Sequence, residues 1–312
     1  MHKLLILSKR ADEYCGLVEA ARLPQLSMCA ATDPAALAAE AFASDLVFGD
    51  PSAVARVLPR LDGVRWVQAT WAGVEPLLDP ALRRDYILTN ARGVFGPLMS
   101  EYVFGYMLAH ERRIIEKYET QKERRWDPRH PGTLRGKRLG LIGVGTIGAA
   151  LARTAKHFGM HVSGYTRASE DCPDVDVYFH GDDLTTFVSS LDYLVAIAPN
   201  TLATRGLVDA RVLSHLPSSA VFINPGRGSI VDESALAEAL ANGRLAGAAL
   251  DVFQAEPLAP ESPLWTLPNV AITSHTAAIS FPEDITPLFV ANYRRLLAGE
   301  PLRYRVDFEQ GY

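Results

Sequence analysis

Arg138-Leu-Gly-Leu-Ile142 runs straight into Gly143-Val-Gly145-Thr-Ile-Gly148, and the reading of that stretch decides the fold. The first five residues read as a buried strand, and the residues from Gly148 to Phe158 read as a helix. Strand, G-x-G-x-x-G and helix therefore stand in the order a dinucleotide loop requires. Gly143 permits the tight turn, Gly145 lets a pyrophosphate approach the backbone, and Gly148 lets helix and strand pack closely. The free N–H groups of the first helical turn then face the anion. A glycine pattern alone fits a plain tight turn about as well. The following strand, Val162–Tyr165, lies at the expected distance and turns the balance to dinucleotide binding.

NAD enzymes place an acidic residue at the tip of that second strand, where it binds the ribose 2′-hydroxyl. Here the tip reads Gly164-Tyr-Thr166-Arg167-Ala-Ser169, without a carboxylate. Nothing at Thr166 repels a 2′-phosphate, and Arg167 offers a planar fork to pair with one. The expected cofactor is NADP(H), with NAD(H) as the second choice. A plain surface arginine is the alternative reading of Arg167.

Outward from this loop, short apolar runs alternate with helical segments, the pattern of doubly wound parallel α/β sheets. Strands are expected at Leu4–Leu7, Leu46–Phe48, Val64–Ala69 and Ile87–Leu88 before it. After it they are expected at Tyr193–Ala198, Val221–Ile223, Ala248–Val252 and Val270–Thr273. A helix starts near Pro97 and continues into the charged stretch Glu111–Arg125, whose mixed signs read as a solvated face. A last helix, about Pro287 to Ala298, ends at Gly299.

The 312 residues suffice for two domains. A net charge of −5 gives no electrostatic reason to expect nucleic acid or an anionic membrane as partner. The run Leu4–Leu7 is too short for a signal-peptide core or a membrane span. Cys15, Cys29 and Cys172 are isolated, which suggests a reducing compartment and a cytoplasmic protein. There is no G-x-S-x-G elbow and no G-x-x-x-x-G-K-[ST] phosphate loop. His157 and His161 are separated by Gly159 at a helix end, a poor basis for a shared metal face.

Ligands of open α/β sheets bind beyond the carboxyl ends of the strands. Three such ends carry polar residues: Asn224-Pro-Gly-Arg227-Gly228, Phe253-Gln-Ala-Glu256-Pro257 and Ser274-His275-Thr276. Arg227 can hold a 2-keto acid by its carboxylate and stabilise developing oxyanion charge. His275 can deliver a proton while a nicotinamide ring delivers hydride. Glu256, if beside His275, favours the imidazolium. Singly, each has a plainer reading: a salt-bridge arginine, a loop acid, a histidine at a helix start. Jointly, on neighbouring strand ends, they read as an active site.

With these segments in view, the chain resembles the D-isomer-specific 2-hydroxyacid dehydrogenase family over nearly its whole length. The likeness rests on Gly143–Gly148, Asn224–Gly228, Ala249-Leu-Asp-Val-Phe-Gln-Ala-Glu-Pro257 and Thr273-Ser-His-Thr-Ala-Ala278. Glu256–Trp265, His275–Ile279 and the closing Arg305–Tyr312 make it most similar to glyoxylate/hydroxypyruvate reductase A-type members. The resemblance implies Arg227, Glu256 and His275 as the catalytic set. It implies that the backbone of Trp71-Ala72-Gly73-Val74 binds the substrate carboxylate, and that Thr146, Ile147, Pro199, Pro225, Gly226 and Asp251 contact the cofactor. It also implies a homodimer through the cofactor domain, and Trp126 resembles a tryptophan that in some members reaches the neighbouring subunit's site. Gly226 stands where many members have Ala, and Ser274 where many have Pro.

Patterning alone suggests a simple two-block chain. The family fold implies instead a Rossmann cofactor domain, 99–277, inserted into a flavodoxin-like substrate domain made of 1–98 and 278–312. The expected function is reduction of a small 2-keto acid, glyoxylate or hydroxypyruvate, by NADPH with His275 as general acid. Two alternatives stand beside it: a dehydrogenase of bulkier 2-keto acids, and a dinucleotide-sensing, corepressor-like binding protein. Phe48, Gly49, Met99 and Phe281 are candidates for setting the pocket size.

Overall fold

The computed structural model describes residues 1–167 and 169–311. The chain divides into two compact units, Met1–Val94 with the stretch from Ser280 onward, and Phe95–Ile279. Each crossing lies a few residues from the expected bounds, in turns just before the helices Gly96–Glu111 and Pro282–Leu297.

The first unit is built on β1 (His2–Leu7), β2 (Leu26–Ala31), β3 (Leu46–Gly49), β4 (Trp66–Ala69) and β5 (Ile87–Thr89). All pair in parallel, in the flavodoxin-like order β2-β1-β3-β4-β5. β3 and β4 and the end of β1 are buried throughout, as parallel strands covered on both faces require. β2 was not expected from the sequence. It is an edge strand, half-buried along most of Leu26-Ser-Met-Cys-Ala-Ala31, and carries no β-branched or aromatic residue to mark it as a strand.

The C-terminal segment belongs to this unit because its apolar face completes the unit's core. Its helix begins at Pro282, so Pro287 lies inside the helix and does not start it. Phe289 stacks on Phe48 at 4.9 Å and on Trp66 at 5.1 Å between ring centroids. Phe48 is therefore a core residue and cannot set the size of a pocket. The tail beyond is fastened to the same sheet: Val306 N donates to Leu88 O at 2.8 Å, and Asn292 clasps the backbone of Arg303 through both amide atoms. Phe289→Ala is expected to cost about 3–5 kcal/mol. An unshifted urea-denaturation midpoint would contradict this anchoring.

The second unit contains β6 (Arg138–Ile142), β7 (His161–Tyr165), β8 (Val177–Phe179), β9 (Tyr193–Ala196), β10 (Val221–Asn224), β11 (Gly247–Leu250) and β12 (Val270–Ile272). They form one parallel sheet in the order β12-β11-β10-β9-β6-β7-β8. Sequence order reverses between β6 and β9, the switch point beyond which dinucleotides bind. β8, a short edge strand, was also not expected. The charged stretch is broken where one helix was expected: Gly96–Glu111 and Ile114–Lys122 are separate, with Arg113 left-handed at φ 56° between them. Among the described residues no helix is long and apolar enough to cross a membrane, and no group of three or more His, Cys, Asp or Glu could hold a metal ion. All three cysteines are free.

Candidate active site

The glycine loop sits at the C-terminal end of β6. Gly143 has φ +99°, and a Cβ there would lie 3.0 Å from the Ala198 backbone. At Gly148 a Cβ would lie 2.5 Å from Gly143 O, so helix and turn meet with no room for a side chain. Gly145 differs: nothing lies within 4 Å of the position its Cβ would take. The protein's own packing does not require glycine at 145, and the open backbone beside the Thr146–His157 helix start suits a pyrophosphate. Thr146 is exposed and Ile147 half-buried at this helix start. At the β7 tip Thr166 Oγ1 donates to Ser169 O at 2.9 Å, and Arg167 is exposed. Pro199 is exposed beyond β9, while Pro225 and Gly226 are buried beyond β10.

Arg227, Glu256 and His275 leave the C-terminal ends of β10, β11 and β12, which are consecutive in the sheet. Neighbouring strands lie about 4.8 Å apart, so β10 and β12 are separated by roughly 10 Å. The buried Asn224 shapes the Arg227 loop: its Nδ2 donates to Arg227 O at 3.0 Å and its Oδ1 accepts Gly226 N at 3.2 Å. The half-buried Arg227 donates from Nη1 to Gly226 O at 2.8 Å. A Cβ at Gly226 would lie 2.6 Å from Ala196 O, so any larger residue there would force the loop to shift. At Gly228 a Cβ would lie 1.9 Å from the Phe253 carbonyl carbon, which brings the Arg227 loop directly onto the Glu256 loop.

His275 does not start a helix. It is a loop residue at φ 56°, and its Nδ1 lies 2.8 Å from Glu256 Oε2. The other carboxylate oxygen, Glu256 Oε1, accepts Phe253 N at 3.0 Å. Beneath this pair Glu233 accepts the N–H of Gln254. Burial raises the Glu233 carboxyl above its ordinary pKa, and the neighbouring Glu256 charge adds to the rise.

Asp251 sets the course of the His275 loop. Its carboxylate is 1% exposed and accepts Thr273 Oγ1 at 2.6 Å, Thr276 N at 2.8 Å and Ala277 N at 2.9 Å. Its carbonyl accepts His275 N at 2.8 Å. The resemblance implies a cofactor contact for Asp251, whereas the structure commits its carboxylate to the protein. Thr273 continues the network to Tyr102 OH at 2.9 Å. Burial pushes the Tyr102 phenol well above its ordinary pKa, so it stays neutral. Sequence reading missed Tyr102, Glu233 and this use of Asp251, because each acts through a partner far along the chain.

In the first unit, Trp71–Val74 follows β4. Asn90 Nδ2 donates to Ala72 O at 2.9 Å, and Ala91 N donates to Trp71 O at 3.0 Å. Trp126, in the second unit, is 90% exposed.

A family profile, "D-isomer specific 2-hydroxyacid dehydrogenase, NAD binding domain", matches residues 104–277, more than half of the chain. A glyoxylate/hydroxypyruvate reductase A from Salmonella heidelberg is 32% identical over 253 residues, covering 79% of this chain and 81% of its own length. A D-isomer-specific 2-hydroxyacid dehydrogenase family protein from Aeromonas salmonicida superimposes with a TM-score of 0.92 at 39% identity, covering 98% of this chain and 99% of its own. An NADPH-dependent glyoxylate/hydroxypyruvate reductase from Sinorhizobium meliloti, solved with NADP and sulfate, superimposes with a TM-score of 0.89 at 29% identity over the full length of both chains. These likenesses define an NAD(P)-dependent oxidoreductase acting on CH–OH groups. Within that class, the chain belongs to the D-isomer-specific 2-hydroxyacid dehydrogenase family.

Asp251→Asn keeps one oxygen acceptor but turns an amide N–H₂ toward one of its three donors. The expected cost is about 1–3 kcal/mol. An unchanged midpoint in chemical denaturation would contradict the clamp.

Proposed function

We propose that this protein reduces small 2-keto acids, glyoxylate or hydroxypyruvate among them, with NADPH as the preferred hydride donor. The observation that carries this reading is the 2.8 Å contact of His275 Nδ1 with Glu256 Oε2, two strands from the end that bears Arg227. Nδ1–H donates to the carboxylate, which fixes the ring and leaves Nε2 to pass its proton to the carbonyl oxygen. Arg227 orients the substrate carboxylate and stabilises the charge that develops on that oxygen. The backbone of Trp71, Ala72, Gly73 and Val74 is a second holder of the carboxylate in this reading. Bound at the glycine loop, dihydronicotinamide supplies the hydride, so one hydride and one proton convert the ketone to the alcohol.

The proposed cofactor contacts are Gly143, Gly145, Thr146, Ile147, Gly148, Thr166, Arg167, Pro199, Pro225 and Gly226, with Asp251 acting through the His275 loop. NADPH is favoured because Thr166 replaces the acid of NAD enzymes and Arg167 follows it. The relatives from Xanthobacter autotrophicus and Sinorhizobium meliloti were solved with NADPH and NADP respectively. The free, half-buried thiols favour a reducing compartment, the cytoplasm in this reading.

His275→Gln is expected to lower kcat with glyoxylate by roughly 10²- to 10⁴-fold while leaving NADPH binding intact. Arg167→Ala is expected to lower kcat/KM for NADPH by about tenfold or more and to spare NADH. Tight NADPH binding without turnover of glyoxylate, hydroxypyruvate, pyruvate or phenylpyruvate would overturn the reading in favour of a sensor.

We further propose a homodimer through the cofactor domain. Ile114, Ile115, Tyr118 and Trp126 are exposed large apolar side chains on and just beyond one helix of that unit. Apolar residues so grouped on a surface mark an interface. Light scattering should give a dimer for the wild-type chain and a monomer for Ile115→Glu/Tyr118→Glu. A wild-type monomer would refute it.

A further inference from the structure

The loop after β7 is held from beside by His180, at the end of β8. His180 Nδ1 lies 2.9 Å from Thr166 O and 3.3 Å from Thr166 Oγ1, and its Nε2 lies 2.8 Å from Glu170 Oε1. A neutral imidazole has one N–H; with the Thr166 hydroxyl donated to Ser169 O, both ring nitrogens face oxygen acceptors, and the imidazolium donates to both. The sequence has no acid at the β7 tip, but the fold brings the Glu170 carboxylate to within one ring of Thr166. Asp171 accepts Ser169 Oγ at 3.2 Å, and Asp183 and the stacked Tyr178 ring complete the surroundings of His180. The hydrogen bond to Glu170, then that to Thr166, raises the His180 pKa above its ordinary value.

We propose that the His180–Glu170 pair is a pH-dependent selector at the 2′ position of the cofactor ribose, admitting a 2′-phosphate while His180 is charged and disfavouring it once His180 is neutral. The selector acts there only if Thr166 and Arg167 face the 2′ group, as proposed above. While charged, the imidazolium cancels the Glu170 carboxylate. Its deprotonation leaves an uncompensated negative charge near the phosphate and removes one of the two N–H groups with which His180 holds the loop. Because the His180 pKa is raised, the charged form persists above the pH at which a free histidine titrates, about 6.5. Preference for NADPH over NADH therefore falls as pH rises through that elevated pKa. Ionisation of the phosphate itself is largely complete below this range, with a second pKa near 6.

The test is the ratio of NADH to NADPH dissociation constants, measured by cofactor fluorescence between about pH 6.5 and 9. Effects on the shared nicotinamide end cancel in this ratio. The wild-type ratio should fall roughly three- to tenfold across the range, the effect of one screened unit charge several ångströms away. Glu170→Gln should raise the ratio and move its fall to lower pH, because His180 loses the partner that raises its pKa, and His180→Gln should hold the ratio low and flat. Variants that follow the wild-type curve within twofold would overturn the selector. A wild-type ratio below one at every pH would refute the NADPH preference, while a flat curve in His180→Gln and an acid-shifted fall in Glu170→Gln would still support the selector.

Discussion

A buried carboxylate is the constraint on which the rest of the site depends. Asp251 is almost fully withdrawn from water, and an ionised group there is tolerable only with its oxygens fully hydrogen-bonded. One hydroxyl and two backbone N–H groups supply those bonds, all from the segment after β12. The segment must therefore turn back over the end of β11. In doing so it places His275 in a left-handed conformation with its ring at Glu256. Histidine and acid reach each other because β11 carries both the anchor and the partner.

The parallel sheet distributes the remaining functions along one edge. The strand order reverses between β6 and β9, opening the glycine loop at the switch point. The polar ends of β10 to β12 follow on the other side of β9. Gly228 locks the Arg227 loop against Phe253, so the arginine and the acid share a backbone contact as well as a sheet. The first unit owes its discontinuity to ring stacking, since the Pro282–Leu297 helix brings Phe289 to Phe48 and Trp66.

The sequence was most legible where strands are buried on both faces. β6 and its glycine loop stand at the predicted residues because an apolar run bounded by glycine has few other readings. β2 and β8 escaped notice because they are edge strands, at best half-buried: Leu26-Ser-Met-Cys-Ala-Ala31 has no β-branched or aromatic residue, and Val177-Tyr178-Phe179 is only three residues long. The break at Arg113 was invisible because no glycine or proline marks it and the charged stretch leaves little periodicity to interrupt. Pro287 was mistaken for a helix start because Pro282, five residues earlier, carries the same signal. Arg227, Glu256 and His275 were readable because each directly follows a strand. The clamp of Asp251, the Tyr102–Thr273 link and the His180–Glu170 pair were not, since they join residues that only the fold brings together.

The most direct measurement is a crystal structure of the protein with NADPH and oxamate, an unreactive analogue of a 2-keto acid. The oxamate carbonyl oxygen is expected to accept a hydrogen bond from His275 Nε2 while the Arg227 guanidinium holds the same molecule beside the nicotinamide ring. Oxamate bound away from either side chain, with Arg227 and His275 serving different ligands, would contradict it.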